Sequence, residues 1–284
     1  MKGRDHLKNY ELVTLRGGTR SIRSILHGET MHVGTDPRTE SNELHIQQQR
    51  IVERVGEWEH ELPFVIWDVG LGPASNAIMA IESLRYCKSP VEIHSFEIST
   101  EVLEFALNHV DDLGYLKGWE DCIACLLAEG SAYPLPHLLW QLHRGDFSRE
   151  LHLAPPPQSI FHDPYSPSRN PEMWNLETFR SEWEPVSVPD ALPCLLTNYT
   201  RSTAVRVTLA LAGWFIGTGV PTGDKTETTI ASNRMDMLEK PFNREWLLRV
   251  NSSTSATPLR GRNYERKPIS SQDFAKLSGL PQFQ

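Results

Sequence analysis

The sequence predicts an α/β fold: a mostly parallel, seven-stranded sheet with helices on both faces, preceded by an amino-terminal extension. Three observations lead there. From residue 64 onward, short apolar runs alternate with helical stretches, as in βα units stacked into a parallel sheet. A glycine-bearing turn, DVGLGPASN at residues 68–76, separates the first run from its helix. Acids then stand at the ends of successive runs, where an open parallel sheet gathers its ligands.

The extension, residues 1–60, is polar. Alternating pieces at 10–15 and 21–26 predict a hairpin across Gly17-Gly18, and 39–55 predicts one helix carrying Leu44, Ile46, Ile51, Val52 and Val55. The sheet domain, 61–235, opens with a bulky buried strand at 64–68 and a helix at 75–86 with Ile78, Met79, Ile81 and Leu84 on its apolar side. A second strand at 91–96 leads into a helix at 100–113. Runs at 137–142 and 158–162 supply the third and fourth strands, and Pro171 suits the first turn of a helix at 171–184. A fifth strand at 191–197, a helix at 201–212 and a strand pair at 214–218 and 226–231 complete the sheet. Residues 236–284 hold one predicted helix, 243–250, and a Ser/Thr/Pro/Arg-rich tail.

Composition narrows the function classes. A chain of 284 residues buries a substantial core, and 39% hydrophobic with 23% charged residues is ordinary for a water-soluble domain. No apolar run reaches membrane-spanning length, and MKGRDHLKNYELV at the start lacks the apolar stretch of a secretory leader, so a cytoplasmic location is expected. The net charge of −8 argues against indiscriminate nucleic-acid binding but allows a local basic patch. Cys122 and Cys125 have CxxC spacing without a second pair to complete a zinc site, so they are expected as helix-borne core thiols. His27 and His32 do not match HExxH spacing, and no metal is expected.

The glycine turn suggests a cofactor. Gly70 and Gly72 let the backbone bend and approach a ligand beside a helix amino terminus. Glu97, ending the second strand, is placed to accept ribose hydroxyls, or is simply an exposed strand-end carboxylate. That frame fits a nicotinamide dinucleotide or S-adenosylmethionine. Asp68 at the head of the turn repels a pyrophosphate but suits an ammonium and a sulfonium, unless it merely bonds loop N–H groups. Asp146 and Phe147 follow the third strand, where the acid meets an adenine amine with the ring beside it, or caps a helix. Three acids at three strand ends favour the adenosyl cofactor.

The fourth strand runs into FHDPYSPSRNPEMWN, residues 161–175. Asp163 there is either an acid facing a substrate or a turn-former before proline, and Tyr165 either stacks on a base or walls a pocket. Trp174 reads as a core anchor of the helix behind it.

The order DVGLGP, SFEIS, GDF, FHDPYSPSRNPEMW, LTNYT and TETTIAS resembles the methyltransferase family typified by the methyltransferase half of MnmC and its stand-alone DUF752 homologues. HGETMH at 27–32, Asn42, Glu43 and residues 47–49 are similar to the segment preceding the Rossmann core in that family, so the likeness covers about residues 25–235. It implies a Rossmann-like class I methyltransferase fold. It further implies that S-adenosylmethionine is used to convert the 5-aminomethyl group of a wobble (2-thio)uridine into 5-methylaminomethyl, with the tRNA anticodon region as partner; the oligomeric state is left open by the sequence, a monomer being one option. Carried over by position, Gly70, Gly72 and Asn76 form the cofactor loop, Glu97 holds the ribose, Asp146 the adenine, and Asp163 faces the substrate amine. Two departures stand out. Pro73-Ala74 occupies a place where relatives tend to carry another glycine, which stiffens the loop. No flavin-binding glycine motif follows, so the oxidase half of the bifunctional relatives is expected to be absent.

Methyl transfer to an amine needs a free lone pair in line with the methyl carbon, so a group that takes or holds the ammonium proton is required. Asp163 is the residue placed to do it. Candidate phosphate contacts are Arg169, Arg201, Arg206, Lys225, Arg234, Arg260, Arg262, Arg266 and Lys267. The alternatives are a methyltransferase for another amine and a non-catalytic nucleoside- or RNA-binding protein of the same fold.

Overall fold

The computed structural model describes residues 6–32 and 36–284; residues 1–5, which open the stretch read as lacking a leader, and 33–35 lie outside it. In the extension, β1 (Tyr10–Thr14) pairs antiparallel with β2 (Arg20–Ser24), Leu12 facing Ile22, and a short β3 (Glu29–Thr30) adds to β2. The hairpin across Gly17-Gly18 is as expected.

The main sheet contains β4 (Phe64–Val69), β5 (Val91–Glu97), β6 (Ser131–Leu135), β7 (Leu138–Arg144), β8 (Ser159–His162), β9 (Leu195–Asn198), β10 (Phe215–Gly219) and β11 (Thr228–Ser232). Their order is β10-β11-β9-β8-β4-β5-β7-β6, with β9, β8, β4, β5 and β7 parallel and the outer strands antiparallel. That makes eight strands where the sequence suggested seven. The added β6 is a short edge strand that contains Pro134 and pairs with a register shift; proline is tolerated at such edges, and the segment carries no alternating pattern to announce it. All six residues of β4 are buried, as a central strand covered on both faces requires.

Helices α1 (Pro37–Ser41) and α2 (Ile51–Gly56) replace the single helix expected over 39–55. Between them a π-helical turn spans Asn42–Gln47, and Arg50 takes a left-handed φ of 53°. Neither glycine nor proline marks that break. Then come α3 (Ser75–Ser83), α4 (Glu101–Leu107), α5 (Val110–Leu113), α6 (Glu120–Glu129), α7 (Phe147–Glu150), α8 (Leu176–Trp183), α9 (Thr203–Ala212), α10 (Arg244–Ser252) and α11 (Ser271–Ser278). The tail, expected to hold one helix, thus carries α11 as well. Cys122 and Cys125 do lie on a helix, α6, but Cys125 is exposed and Cys122 half-buried rather than core.

Two apolar layers sandwich the sheet. One gathers α3, α4 and α6 together with Ile22, Ile46, Ile51 and Val55 of the extension. The other joins Trp174, Phe179, Val205, Leu209 and Trp214 to Ala256, Leu259, Leu277 and Phe283 of the tail. Both flanking segments therefore share the apolar layers of the sheet. Trp174 is fully buried, as an anchor should be. Among the described residues no helix is long and apolar enough to cross a membrane.

Candidate active site at the carboxyl ends of the strands

From β4 the chain crosses to β5 on one side, while β8 lies on the other, so the crevice at the carboxyl ends of β4 and β8 is the switch point of the sheet. Gly70 sits there with φ 87°. A Cβ on it would stand 3.0 Å from Asp163 O, Pro164 Cα and Pro164 N, so only glycine fits. The turn continues through Gly72 to Ala74, whose left-handed φ of 65° costs a non-glycine residue about 1 kcal/mol. Ala74 immediately precedes α3 and belongs to the Pro73-Ala74 pair.

Glu97 closes β5 and accepts Gly72 N–H at 3.0 Å and Ser99 N–H at 3.2 Å. Burial raises its pKa, with backbone N–H bonds acting against that. Asp68 is fully buried near the end of β4. Its Oδ2 accepts Ser95 Oγ–H at 2.8 Å, and Ser95 Oγ in turn accepts Trp140 Nε1–H at 2.9 Å. Asp68 Oδ1 has no hydrogen-bond partner among the described residues. Burial pushes this carboxyl up to about 7, with the Asp163 and Glu97 charges adding to the rise and the Ser95 bond opposing it.

Asp146 caps α7, accepting Ser148 N–H at 2.9 Å and Ser148 Oγ–H at 2.6 Å, and that bonding holds its pKa low. It is nonetheless exposed, at the end of the strand beside Glu97. Phe147 commits its ring to the core, packed edge-on to Phe96 at 5.0 Å.

This cradle fits an adenosyl sulfonium. A buried acceptor lacks a donor, two further carboxylates line neighbouring strand ends, and a pyrophosphate would meet like charge at each. The residues that would hold the cofactor are Asp68, Gly70, Gly72, Asn76, Glu97 and Asp146.

Asp163 follows β8 directly, its N–H on Val69 O at 2.9 Å. Its Oδ2 accepts Asn76 Nδ2–H at 2.8 Å, and Asn76 Oδ1 accepts Ser41 Oγ–H at 2.6 Å. Burial raises the Asp163 pKa, while His32, Asn76 and Lys225 pull it back. The segment after it is pinned at successive backbone groups. Tyr199 donates its hydroxyl to Pro164 O at 3.0 Å, Trp174 Nε1 donates to Tyr165 O at 2.7 Å, and Glu29 accepts from Ser166 N–H at 3.0 Å and from the Ser166 hydroxyl. Tyr165 stacks on His27 with ring centroids 4.4 Å apart, walling the site from the extension.

Several of these partners, His27, Glu29, His32 and Ser41, come from the extension. His32 Nε2 meets Ser75 Oγ at 2.7 Å and His32 Nδ1 meets Glu40 at 3.2 Å. Lys225 Nζ, on the β10–β11 hairpin, lies 4.4 Å over the Tyr199 ring and 4.0 Å from Glu40. Of these only the HGETMH string gave a local sign in the sequence.

The candidate phosphate contacts sort unevenly. Arg206 is buried, paired with Glu227 at 2.8 Å and stacked over Phe242, so it is unavailable. Arg260 pairs with Asp273 at 2.7 Å and Lys267 with Glu265 at 2.7 Å, while Arg234 binds Ala191 O. Arg169 and Arg201 are exposed on loops that leave the carboxyl ends of β8 and β9.

A family model described as S-adenosyl-L-methionine-dependent methyltransferase matches residues 138–234, the stretch containing Asp146 and Asp163. The bifunctional tRNA 5-methylaminomethyl-2-thiouridine biosynthesis protein MnmC of Chromohalobacter salexigens is 28% identical over 200 residues, covering 66% of this chain and 28% of that protein. The chain is similar to MnmC-type methyltransferase domains. The MnmC protein of Leptospira interrogans is 23% identical over 223 residues, covering 74% of the chain and 34% of its own length. The chain thus spans about a third or less of the curated MnmC proteins it matches. The solved structure of MNMC2 from Aquifex aeolicus superposes with a TM-score of 0.70 at 23% identity, over 95% of this chain and 84% of that one, and shows that the fold is shared. S-adenosylmethionine as cofactor, expected from the strand-end acids, agrees with the family match.

Proposed function

We propose that this chain is a tRNA N-methyltransferase that converts the 5-aminomethyl group of wobble (2-thio)uridine into 5-methylaminomethyl. The observation carrying this reading is the Asn76–Asp163 hydrogen bond, which ties the acid after β8 to the first turn of the helix behind the glycine loop. The names of the relatives supply the tRNA nucleoside.

When bound, S-adenosylmethionine supplies a methyl group activated by its sulfonium. Asp68, Gly70, Gly72, Asn76, Glu97 and Asp146 make up the cofactor side in this reading, with Phe147 packed in the core behind them and Asp163 and Tyr165 on the substrate side. An alkylamine of pKa near 10 is neutral in only about one molecule in a thousand at pH 7, so the enzyme must take a proton. Asp163 receives the ammonium, accepts one of its protons and leaves the nitrogen lone pair free; the new N–C bond forms as the C–S bond breaks. Tyr165, backed by His27, borders the entry of the base. Arg169, Arg201 and Lys225 offer positive charge to the anticodon backbone, and a cytoplasmic location follows from such a substrate.

The test incubates the protein with isotope-labelled S-adenosylmethionine and tRNA bearing 5-aminomethyluridine or its 2-thio form, followed by digestion and nucleoside identification. Labelled 5-methylaminomethyl nucleoside is expected. Its absence, with cofactor binding intact, points to another amine as substrate.

A further inference from the structure

The acid assigned to the amine is surrounded by charge that the sheet does not provide. His32 lies outside every helix and strand, holds a left-handed φ of 53°, and leaves only 8% of its side chain exposed. Its two nitrogens face different partners. Nδ1 is 3.2 Å from Glu40 Oε2, and Nε2 is 2.7 Å from the hydroxyl of Ser75, the residue beside Asn76 in α3. Asn76 is the residue that grips Asp163. His32 and Asp163 therefore flank the first turn of α3.

We propose that His32 is a positioning residue of the amine site: seated on Ser75 and paired with Glu40, its imidazolium supplies the positive charge that keeps Asp163 a carboxylate. This rests on Asp163 being the acid that meets the amine. The chemistry demands such a charge. Removed from water and near the Glu40 charge, an acid tends to take up a proton, and a neutral carboxyl cannot accept one from an ammonium. The groups facing the pair bear on its protonation from every side. Glu40 and Asp36 at α1, with Asp163 itself, favour the imidazolium; burial opposes it and is outweighed. His45, buried and neutral, also feels the His32 charge. On Asp163, His32 and Lys225 act against burial and against Glu40. Lys225 stands 4.0 Å from Glu40, so Glu40 is shared between two cations.

The test uses the full chain and two independent readouts. In the first, the carboxyl carbon of Asp163 and the His32 ring nitrogens are followed by NMR titration without substrate. His32→Gln, which keeps a polar side chain but no charge, should raise the Asp163 midpoint by about one pH unit. An unmoved midpoint overturns the proposal whether or not tRNA is methylated. In the second, methylation by His32→Gln relative to wild type should be lower at pH 7 than at pH 9, because the higher pH offsets the raised Asp163 midpoint. Equal loss at both pH values marks a structural role and overturns it. A wild-type chain that methylates no aminomethyl tRNA refutes the proposed function and leaves the titration to judge His32 alone. Should His32→Gln fail to fold by circular dichroism, Glu40→Gln serves instead: the His32 midpoint must drop, and an unchanged one is fatal.

Discussion

Gly70 and Pro164 are in backbone contact: a Cβ on the glycine would stand 3.0 Å from both Pro164 N and Pro164 Cα. The cofactor loop and the amine-facing loop are thus one packed unit, built across the switch point of the sheet. Gly70→Ala combines a positive φ with a backbone clash. It should cost about 1–3 kcal/mol of stability and also weaken cofactor binding and methylation. Thermal unfolding together with calorimetric titration of S-adenosylhomocysteine tests this; a variant with wild-type behaviour in both would contradict the contact.

Asp163→Asn keeps an oxygen for Asn76 and removes the proton acceptor. S-adenosylhomocysteine affinity should stay within about threefold, while kcat falls well over tenfold. If affinity collapses instead, Asp163 belongs to the cofactor side and the roles must be redrawn.

Asp68 sets one pH dependence of stability. Its carboxyl titrates near 7 in the folded chain and at the ordinary 3.8 when unfolded, so between those values the folded chain holds the extra proton and stability declines as pH rises. Asp68→Asn should abolish that decline and stabilise the protein at pH 8 by on the order of 2 kcal/mol, while weakening cofactor binding. Melting temperatures of both proteins from pH 4 to 8 provide the comparison.

Two buried histidines act in the opposite sense. Burial holds His45 near 3 and His143 near 4, against an ordinary 6.5. Below 6.5 the unfolded chain takes up protons that the folded chain refuses, so their effect is to lower stability as pH falls from about 6.5 to 4. In His143→Gln that acid-side loss should shrink by on the order of 1–3 kcal/mol. Chemical denaturation at pH 7 and pH 5 measures it, and an identical loss in wild type and variant would count against the assignment.

Much of the sheet and its glycine turn was legible because each signal is local. A bulky apolar run, a glycine turn and an acid at the strand end lie within a dozen residues, and the strands β4, β5, β8 and β9 fall where such patterns stand. On the proposed substrate side the sequence marks Asp163, its prolines and Tyr165, but not the groups that hold them. Ser41 reaches Asn76 across 35 residues, and Gln49 reaches Thr197 across 148, contacts that no local periodicity encodes. The α11 helix escaped notice because its surroundings are polar and few apolar anchors, Leu277 and Phe283 among them, secure it. Arg206 looked like a surface charge, yet it sits in α9, whose residues are nearly all buried, where Glu227 and Thr229 satisfy it.

The π-helical turn at Asn42–Gln47 acts like a spacer of fixed length. Immediately after it, consecutive glutamines serve different targets: Gln48 accepts Val220 N–H of the β10–β11 hairpin at 2.7 Å, while Gln49 donates to Ile160 O and Thr197 and accepts from Ser159 on the sheet. Removing one residue from this stretch would swing both side chains by about 100° around the helix axis, taking each off its target. An insertion or deletion there would uncouple the hairpin and the extension from the sheet together.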